Sequence, residues 1–281
     1  MKIRIISLQQ MKKYFLTGLI WLTTIVSTKA QNGDYAMGAR SSAIGGSSIT
    51  LGDEWALFNN IGGLAHFQEK SIFTSFKNKY GITEFTSLAL GATYPLLGGT
   101  AGLGMFRFGD DLYNEQRLNL GFSNQFGIVS LGLNVSYYQL NIEGAGSRKT
   151  LMIDFGGRAQ LTEQLFFGAH VSNLNQAKLS TVSDERIPTI MKTGLSYRPS
   201  QDLMLNAEVE KEVDQDAVLK LGLEYKILDN LSLRTGFNTK PFESSFGLGF
   251  YPGKLKADYS YNNNPDLGGI HEISVGYTFG D

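Results

Sequence analysis

From about residue 70 to the end of the chain, apolar and polar residues alternate one by one, which is the pattern of β-strands with two different faces. Residues 129–137 show it most clearly, because Val, Leu and Tyr occupy every odd position and Ser, Gly and Asn the even ones. Residues 219–225 and 255–262 alternate in the same way. Division at turn signals gives about fourteen strands of roughly nine to eleven residues, the length that a tilted strand needs to cross a membrane.

The predicted connections alternate in length. Tight links fall at residues 96–100, 125–127, 161–164, 199–202, 228–230 and 252–254. The links between them are longer and more polar, at residues 109–115, 143–149, 175–188, 212–216 and 262–269. Short turns on one side and long loops on the other are typical of outer-membrane barrels, and an even strand count returns both barrel ends to the periplasm. We therefore predict an all-β fold, in which residues 68–281 form a transmembrane antiparallel β-barrel of about 14 strands in the cell outer membrane.

The first thirty residues have the pattern of an export signal. Lys12 and Lys13 precede an apolar run over residues 14–26, and Thr28 and Ala30 occupy the small-residue positions of a cleavage site. The alternative is a retained anchor, but the run is shorter than the ~20 residues that a membrane-spanning helix requires. We predict that residues 1–30 are a signal peptide cleaved after Ala30, with Met1 or Met11 as the start.

Composition supports an exported barrel. The chain of 281 residues contains 33 glycines, 12% aromatic residues and no cysteine. Glycine and aromatic residues in this proportion fit a barrel with an apolar outside and a small, polar inside. The net charge of −1 argues against nucleic acid as a partner, because nucleic-acid binding needs a concentrated basic surface.

The charged residues of the predicted strands fall on the face opposite to the apolar side chains. A charge that faces lipid at mid-depth costs ~2–4 kcal/mol, so these side chains are predicted to line the lumen. They are Arg117, Asp154, Lys192, Glu208, Glu210, Lys220, Glu224, Arg234, Lys256 and Asp258. Acids and bases nearly balance, which favours an interior of paired charges over an ion-selective pore lined by one sign.

Candidate chemistry is sparse. His170 and Ser172 have the spacing of a lipid-hydrolysing His-x-Ser pair, but their predicted side is the lumen, whereas a phospholipase needs its site at the lipid surface. Asp110, Asp111 and Glu115 suit calcium, although a solvated acidic loop is the commoner explanation for such a group. We predict no enzymatic activity, no cofactor and no resident metal.

Residues 31–67 contain no clear membrane strand. They are rich in small residues and end in a short, helix-like piece around residues 54–59. From these residues alone, a flexible periplasmic tail and a segment folded inside the barrel are both open.

This segment resembles the N-terminal signature of fatty-acid-transporter-like (FadL-like) barrels, in particular the PorV/PorQ group of the Bacteroidetes. The matching residues are Gly38, Ala39, Arg40, Gly45, Gly46, Asp53, Asn60, Gly63, Leu64 and Ala65. Ile61 and Gly62 stand where the group has Pro-Ala, and residues 108–118 and 170–176 also resemble that group.

The resemblance implies that residues 31–67 form a hatch inside the lumen. It also implies one of two functions. The first, which we favour from the sequence, is a component of a type IX secretion-related outer-membrane complex that binds protein partners or cargo. The second is a FadL-like channel for uptake or export of hydrophobic small molecules.

Overall fold

The computed structural model of the chain describes residues 35–179, 186–213 and 215–280. The predicted signal peptide lies outside these residues. Residues 35–67, which we call the plug, contain two short helices, α1 (Ala39–Ala43) and α2 (Ala56–Asn59), and a 3₁₀ helix (Ile61–His66). A second 3₁₀ turn (Thr83–Phe85) follows the first strand.

The remaining residues form a closed antiparallel barrel of fourteen strands, which confirms the predicted fold class. The strands are β1 (Lys70–Lys79), β2 (Thr86–Leu96), β3 (Gly99–Gly109), β4 (Tyr113–Phe126), β5 (Val129–Ile142), β6 (Gly146–Gln160), β7 (Leu165–Ser172), β8 (Ile190–Tyr197), β9 (Leu203–Glu212), β10 (Val218–Leu228), β11 (Leu231–Thr239), β12 (Phe242–Phe250), β13 (Leu255–Asn264) and β14 (Gly268–Phe279).

Each strand pairs with its neighbours in chain order, and β1 closes the barrel against β14 in the register Lys70↔Phe279 to Lys79↔Ile270. The short links, such as the two residues between β2 and β3, lie at the barrel end where β1 begins and β14 ends. We call this end the turn side and the opposite end the loop side. Short turns and barrel termini face the periplasm in single-chain outer-membrane barrels.

Three of the predicted long loops are wrong. The link predicted over residues 262–269 is reduced to residues 265–267, because β13 ends at Asn264 and β14 begins at Gly268. The link predicted over residues 109–115 is shorter than expected, because β4 already begins at Tyr113. The link predicted over residues 143–149 is also shorter, because β6 begins at Gly146. As a result β4, β5 and β6 reach 14, 14 and 15 residues, more than the predicted nine to eleven. Polar residues such as Asn114 and Asn141 continue the ladder on the loop side, where amide side chains can hydrogen-bond to each other and to water.

The two faces of the wall differ as the alternation predicts. Along β5, positions from Ser130 to Tyr138 switch regularly between buried even residues and exposed odd ones. The exposed odd residues are Leu131, Leu133, Val135 and Tyr137, so the apolar face points outward, toward lipid. Among the described residues, no helix is both long and apolar enough to cross a membrane.

Glycines on the inner face make room for the plug. A Cβ atom added at any of ten of them would come within 3.0 Å of a plug atom, closer than packed atoms approach. They are Gly102, Gly104, Gly121, Gly132, Gly156, Gly168, Gly194, Gly222, Gly236 and Gly247. These positions lie on nine strands from β3 to β12. The small residues of the inner face, which the composition predicted, therefore leave room for the plug to pack against the wall.

Candidate functional site

The plug follows the inner wall around the barrel. The Gly38 backbone N–H donates to Glu272 on β14 at 2.7 Å, and the Ala39 N–H donates to Ser274 at 3.2 Å. Further along, the Ile49 N–H donates to Glu208 on β9 at 2.9 Å. Because wall side chains accept hydrogen bonds from these plug amides, the plug is fixed at defined positions along the strands and does not simply fill the lumen.

Each motif residue from the sequence has a distinct place in the plug. Gly38 and Gly45 adopt φ values of +104° and +67°, which side-chain-bearing residues rarely adopt. Gly46 also has a positive φ and faces Lys220, whereas a Cβ on Gly63 would lie 2.2 Å from the Leu51 carbonyl oxygen. Three positions of the motif thus need glycine for backbone conformation and a fourth needs it for close packing.

Asn60 and Leu64 anchor the second half of the plug. The Asn60 side-chain amide donates to the carbonyl oxygens of Ile49, at 2.6 Å, and Gly157, at 3.1 Å, and its oxygen accepts from the Gly62 N–H at 3.2 Å. Asn60 therefore ties two stretches of plug to β6, and Leu64 is fully buried in the apolar cluster beside it.

Arg40 is the electrostatic centre of the plug. Its guanidinium donates to both oxygens of Glu224, at 2.8 and 2.7 Å, and to Asp53 at 3.1 Å. Arg234 in turn pairs with Glu224 at 2.5 Å and with Asp258 at 2.7 Å. The network links the plug to β10, β11 and β13, and charge-assisted, two-pronged pairs of this kind fix geometry as well as contribute energy.

Other lumen charges predicted from the sequence are also paired, whereas Glu208 accepts from the Ile49 N–H of the plug. Arg117 contacts Asp154 at 2.8 Å, and Glu210 accepts from Lys192 at 2.9 Å and from Lys220 at 2.6 Å. These contacts lie within the wall, between neighbouring or next-neighbouring strands. Paired charges of both signs leave no ring of one sign to select an ion.

Sequence reasoning missed the partners that join plug and wall. Lys256 pairs with Glu54 of the plug at 2.9 Å, and Lys77 pairs with Glu272 at 3.2 Å. Glu272 alternates with the apolar residues of the last strand, so the sequence alone already predicts that it lies on the inner face. Its contact with Gly38 joins residues 234 positions apart, and no local pattern predicts such a pair.

The loop side of the lumen contains a cluster of packed, buried apolar side chains, which we call the apolar compartment. The apolar compartment comprises Tyr35, Met37, Phe106, Phe108, Tyr138, Leu140, Met152, Ala177, Leu179 and Ile187. The plug closes it from below with Trp55, Leu57 and Ile61, and the link between β7 and β8 supplies its last three members. Apolar side chains thus meet in a place where a water-filled channel would be polar.

The turn side has a different character. A cleft of about 620 Å³ opens there between the plug and β7 to β11, with Arg40, Arg198, Phe166 and Met204 among its lining residues. Close to it, burial and, to a smaller extent, the positive charges of Arg158 and Arg198 together lower the pKa of His66 to about 4. The uncharged form of this histidine is therefore favoured.

The residues considered for catalysis and metal binding have structural roles. His170 is buried on the inner face of β7, opposite Lys192 in the register, and not at the lipid surface. Asp110 uses one carboxylate oxygen to accept from the N–H groups of Leu112 and Tyr113, both at 2.9 Å. Within the described part of the chain, no three His, Asp or Glu side chains are grouped to hold a metal ion.

No protein-family model and no curated protein sequence matches the chain. Solved structures with the same fold do match. The CymD monoaromatic hydrocarbon channel superposes with a TM-score of 0.69 at 12% identity, covering 88% of this chain and 98% of its own. The Pseudomonas putida toluene transporter TodX gives 0.67 at 13% identity, covering 88% and 100%.

A Pseudomonas aeruginosa FadL homologue gives a TM-score of 0.62 at 13% identity, covering 88% of this chain and 98% of its own. At such identities the likeness concerns the fold, and function has to be argued from the site. The closed wall, the outward apolar face and these three likenesses agree on one architecture. The chain is a fourteen-stranded β-barrel of the outer membrane with the fold of the FadL-type hydrocarbon channels.

Proposed function

We propose that this barrel is a channel for hydrophobic small molecules, with the plug as its gate. The observation that carries the proposal is the apolar compartment on the loop side of the lumen. A site lined mostly by apolar and aromatic side chains with few polar groups is the usual form of a small-molecule pocket. The structures of the same fold named above are described as hydrocarbon channels and a toluene transporter, which supports the same class of ligand.

The surroundings of Tyr35 indicate what the compartment accepts. The centroid of its ring lies 5.6 Å from that of Phe106 and 6.1 Å from that of Tyr138, in edge-to-face arrangements. The Arg117 guanidinium lies 4.6 Å from the same ring, within cation–π range. A single aromatic ring is thus accommodated in this place, and an aromatic or similarly sized apolar molecule can replace it when Tyr35 moves.

Hydrogen bonds of residues 36–38 help to hold the gate closed. The Met37 N–H donates to the Asn59 side-chain oxygen at 3.2 Å, and the Asn59 amide donates back to the Met37 carbonyl at 2.9 Å. Lys77 donates to the Ala36 carbonyl at 2.8 Å, and Gly38 donates to Glu272 at 2.7 Å. Opening requires that residues 35–43 leave the wall, and the ion pairs of Arg40 with Asp53 and Glu224 also oppose this step.

The wall next to the apolar compartment offers an exit. Pairing of β6 with β7 ends at Phe155↔Val171. Beyond this point Leu174 and Asn175 take the place of β7 beside β6. The Leu174 N–H donates to the Ile153 carbonyl at 2.7 Å, and the Asn175 side chain hydrogen-bonds to the β6 backbone. Met152 of the compartment lies beside this stretch, where regular strand pairing is interrupted, and we propose it as the exit toward the membrane.

The experiment is uptake of a radiolabelled monoaromatic hydrocarbon by cells that carry the barrel in their outer membrane. Leu140→Asn puts an amide into the compartment, and burial of an unpaired amide is expected to slow uptake about tenfold. The matched control is Leu267→Asn, the same change at an exposed loop residue. Equal uptake by cells with the wild-type barrel and with Leu140→Asn would contradict the proposal.

A second candidate is a component of a type IX secretion-related complex. The motif from Gly38 to Leu64 resembles the PorV/PorQ group, and a lumen filled by the plug is what a scaffold without a transport role would have. This candidate predicts a secretion protein that remains bound to the barrel in stoichiometric amount after mild extraction. It also predicts that Leu140→Asn has no effect on hydrocarbon uptake.

A further inference from the structure

Charged residues on the strands are sorted by sign between the two faces of the wall. Carboxylates of the strands, including Glu115, Asp154 and Glu224, lie on the inner face. The outward positions of the described strands carry charged side chains of one sign: Lys70, Arg107, Lys149 and Lys211. The outward positions of the described strands thus carry cations and no carboxylates.

Two of these cations belong to one polar row on the loop side. Arg107 pairs with Gln116 in the register, Gln116 pairs with Gln139, and Gln139 pairs with Lys149. The row therefore crosses four adjacent strands, β3 to β6, on the outer face. With neighbouring strands about 4.8 Å apart, the backbones that carry its two cations are ~14 Å apart, with two amide side chains between them.

The height of the row places it at the edge of the membrane. One step toward the turn side, the corresponding outward residues are Met105, Leu118, Tyr137 and Leu151, and all four are exposed and apolar. One step toward the loop side, the register reaches Asn114 and Asn141. The row thus occupies the boundary between the apolar belt and the polar rim, which is the level of the lipid headgroups.

The cations of the row are free to meet a ligand. Lys149 is exposed on the wall, and Arg107 contacts the fully exposed Asp111 at 3.6 Å with 46% of its own side chain exposed. An exposed pair at that distance contributes little, so it competes weakly with another anion. Gln116 and Gln139 each donate to a neighbouring asparagine, at 3.0 and 2.8 Å, which holds their amides in the row.

We propose that Arg107, Gln116, Gln139 and Lys149 form a binding site for the phosphate group of an anionic lipid in the outer leaflet. Two cations with hydrogen-bond donors between them match several phosphate oxygens, and the apolar residues below them match the acyl chains. The site lies outside the lumen and does not depend on what passes through the barrel.

The test is native mass spectrometry of the full barrel in mixed micelles that contain phosphatidylglycerol or phosphatidylcholine with the same acyl chains. A basic side chain at an anionic membrane surface contributes about fivefold to affinity. We expect the wild-type barrel to retain phosphatidylglycerol in preference, Lys149→Gln to lower that retention about fivefold, and Arg107→Gln with Lys149→Gln to lower it about 25-fold.

The matched control is Lys240→Gln, which removes a loop-side cation that lies off the wall and already pairs with Asp216 at 2.7 Å. It should leave lipid retention unchanged, and heat-dependent mobility in electrophoresis should show that every variant is folded. Equal retention of both lipids by the wild type, or unchanged retention in the double variant, overturns the proposal. Displacement of the lipid by an equal concentration of inorganic phosphate would overturn the assignment to a lipid, because the row would then be a site for the free ion.

Discussion

Glu272 is the wall residue whose loss should release the gate most directly. It is fully buried, accepts from the Gly38 N–H at 2.7 Å and from the Ser75 hydroxyl at 2.8 Å, and pairs with Lys77 at 3.2 Å. It also accepts a very short hydrogen bond from Ser42 of helix α1. Substitution of Glu272 by Ala leaves these donors without their acceptor inside the lumen.

The size of the effect follows from these contacts. Removal of one partner from a buried ion pair costs about 3–5 kcal/mol, because the remaining charge stays desolvated. Gly38 and Ser42 can regain hydrogen bonds to water by leaving the wall, so we expect the cost to appear as local opening of residues 35–43. A change of about 3 kcal/mol in the opening free energy raises amide exchange roughly 100-fold.

Hydrogen exchange of the barrel in nanodiscs, read by mass spectrometry, measures this opening. In Glu272→Ala, peptides covering residues 35–43 should exchange about 100-fold faster, while peptides from β4 and β5 keep their protection. Glu84→Ala, at an exposed loop position, is the control. Unchanged protection of residues 35–43 would refute the reasoning that Glu272 holds the gate.

Two further predictions concern stability. A Cβ on Gly236 would lie 2.3 Å from the Ile44 carbonyl carbon, so Gly236→Val should lower the free energy of unfolding by about 1–3 kcal/mol in urea titrations. Gly280→Val, the control, should not, because Gly280 has no neighbour within 4 Å. Equal unfolding midpoints of the two variants would contradict close packing of the plug against the wall. The pKa of His66 is about 4 in the folded barrel against about 6.5 in an unfolded chain, so the unfolded state binds the extra proton first and stability falls as the pH decreases from about 6.5 to 4. His66→Asn should reduce this acid-side loss, and an unchanged pH profile of the unfolding midpoint would show that His66 is not its source.

The alternation of residues was sufficient to predict the strands and their two faces. In β5 every odd residue from Leu131 to Tyr137 faces outward, because period two and a lipid environment leave no other arrangement. The loop-side ends of β4 to β6 could not be predicted in this way. Above the membrane the outer face is polar, as at Asn114 and Asn141, so the sequence loses its alternation while the backbone ladder continues.

The contacts between the lumen charges and the plug could not be predicted from the sequence. The side on which Glu224 lies follows from its phase in β10, but its partner Arg40 is 184 residues away and in the plug. The inner-face glycines, such as Gly132 against the Ile61 carbonyl, read locally as weak strand residues. The need for glycine is seen only in the folded barrel, where a Cβ on Gly132 would lie 2.6 Å from the Ile61 carbonyl oxygen of the plug.

The most direct test of the channel is to identify what the barrel carries when it is extracted gently from native membranes. Mass spectrometry of the purified, tagged barrel should find an apolar small molecule bound in the wild type and lost in Leu140→Asn, without a stoichiometric protein partner. A barrel that carries no such molecule but retains a secretion protein in stoichiometric amount would contradict the channel and support the secretion complex.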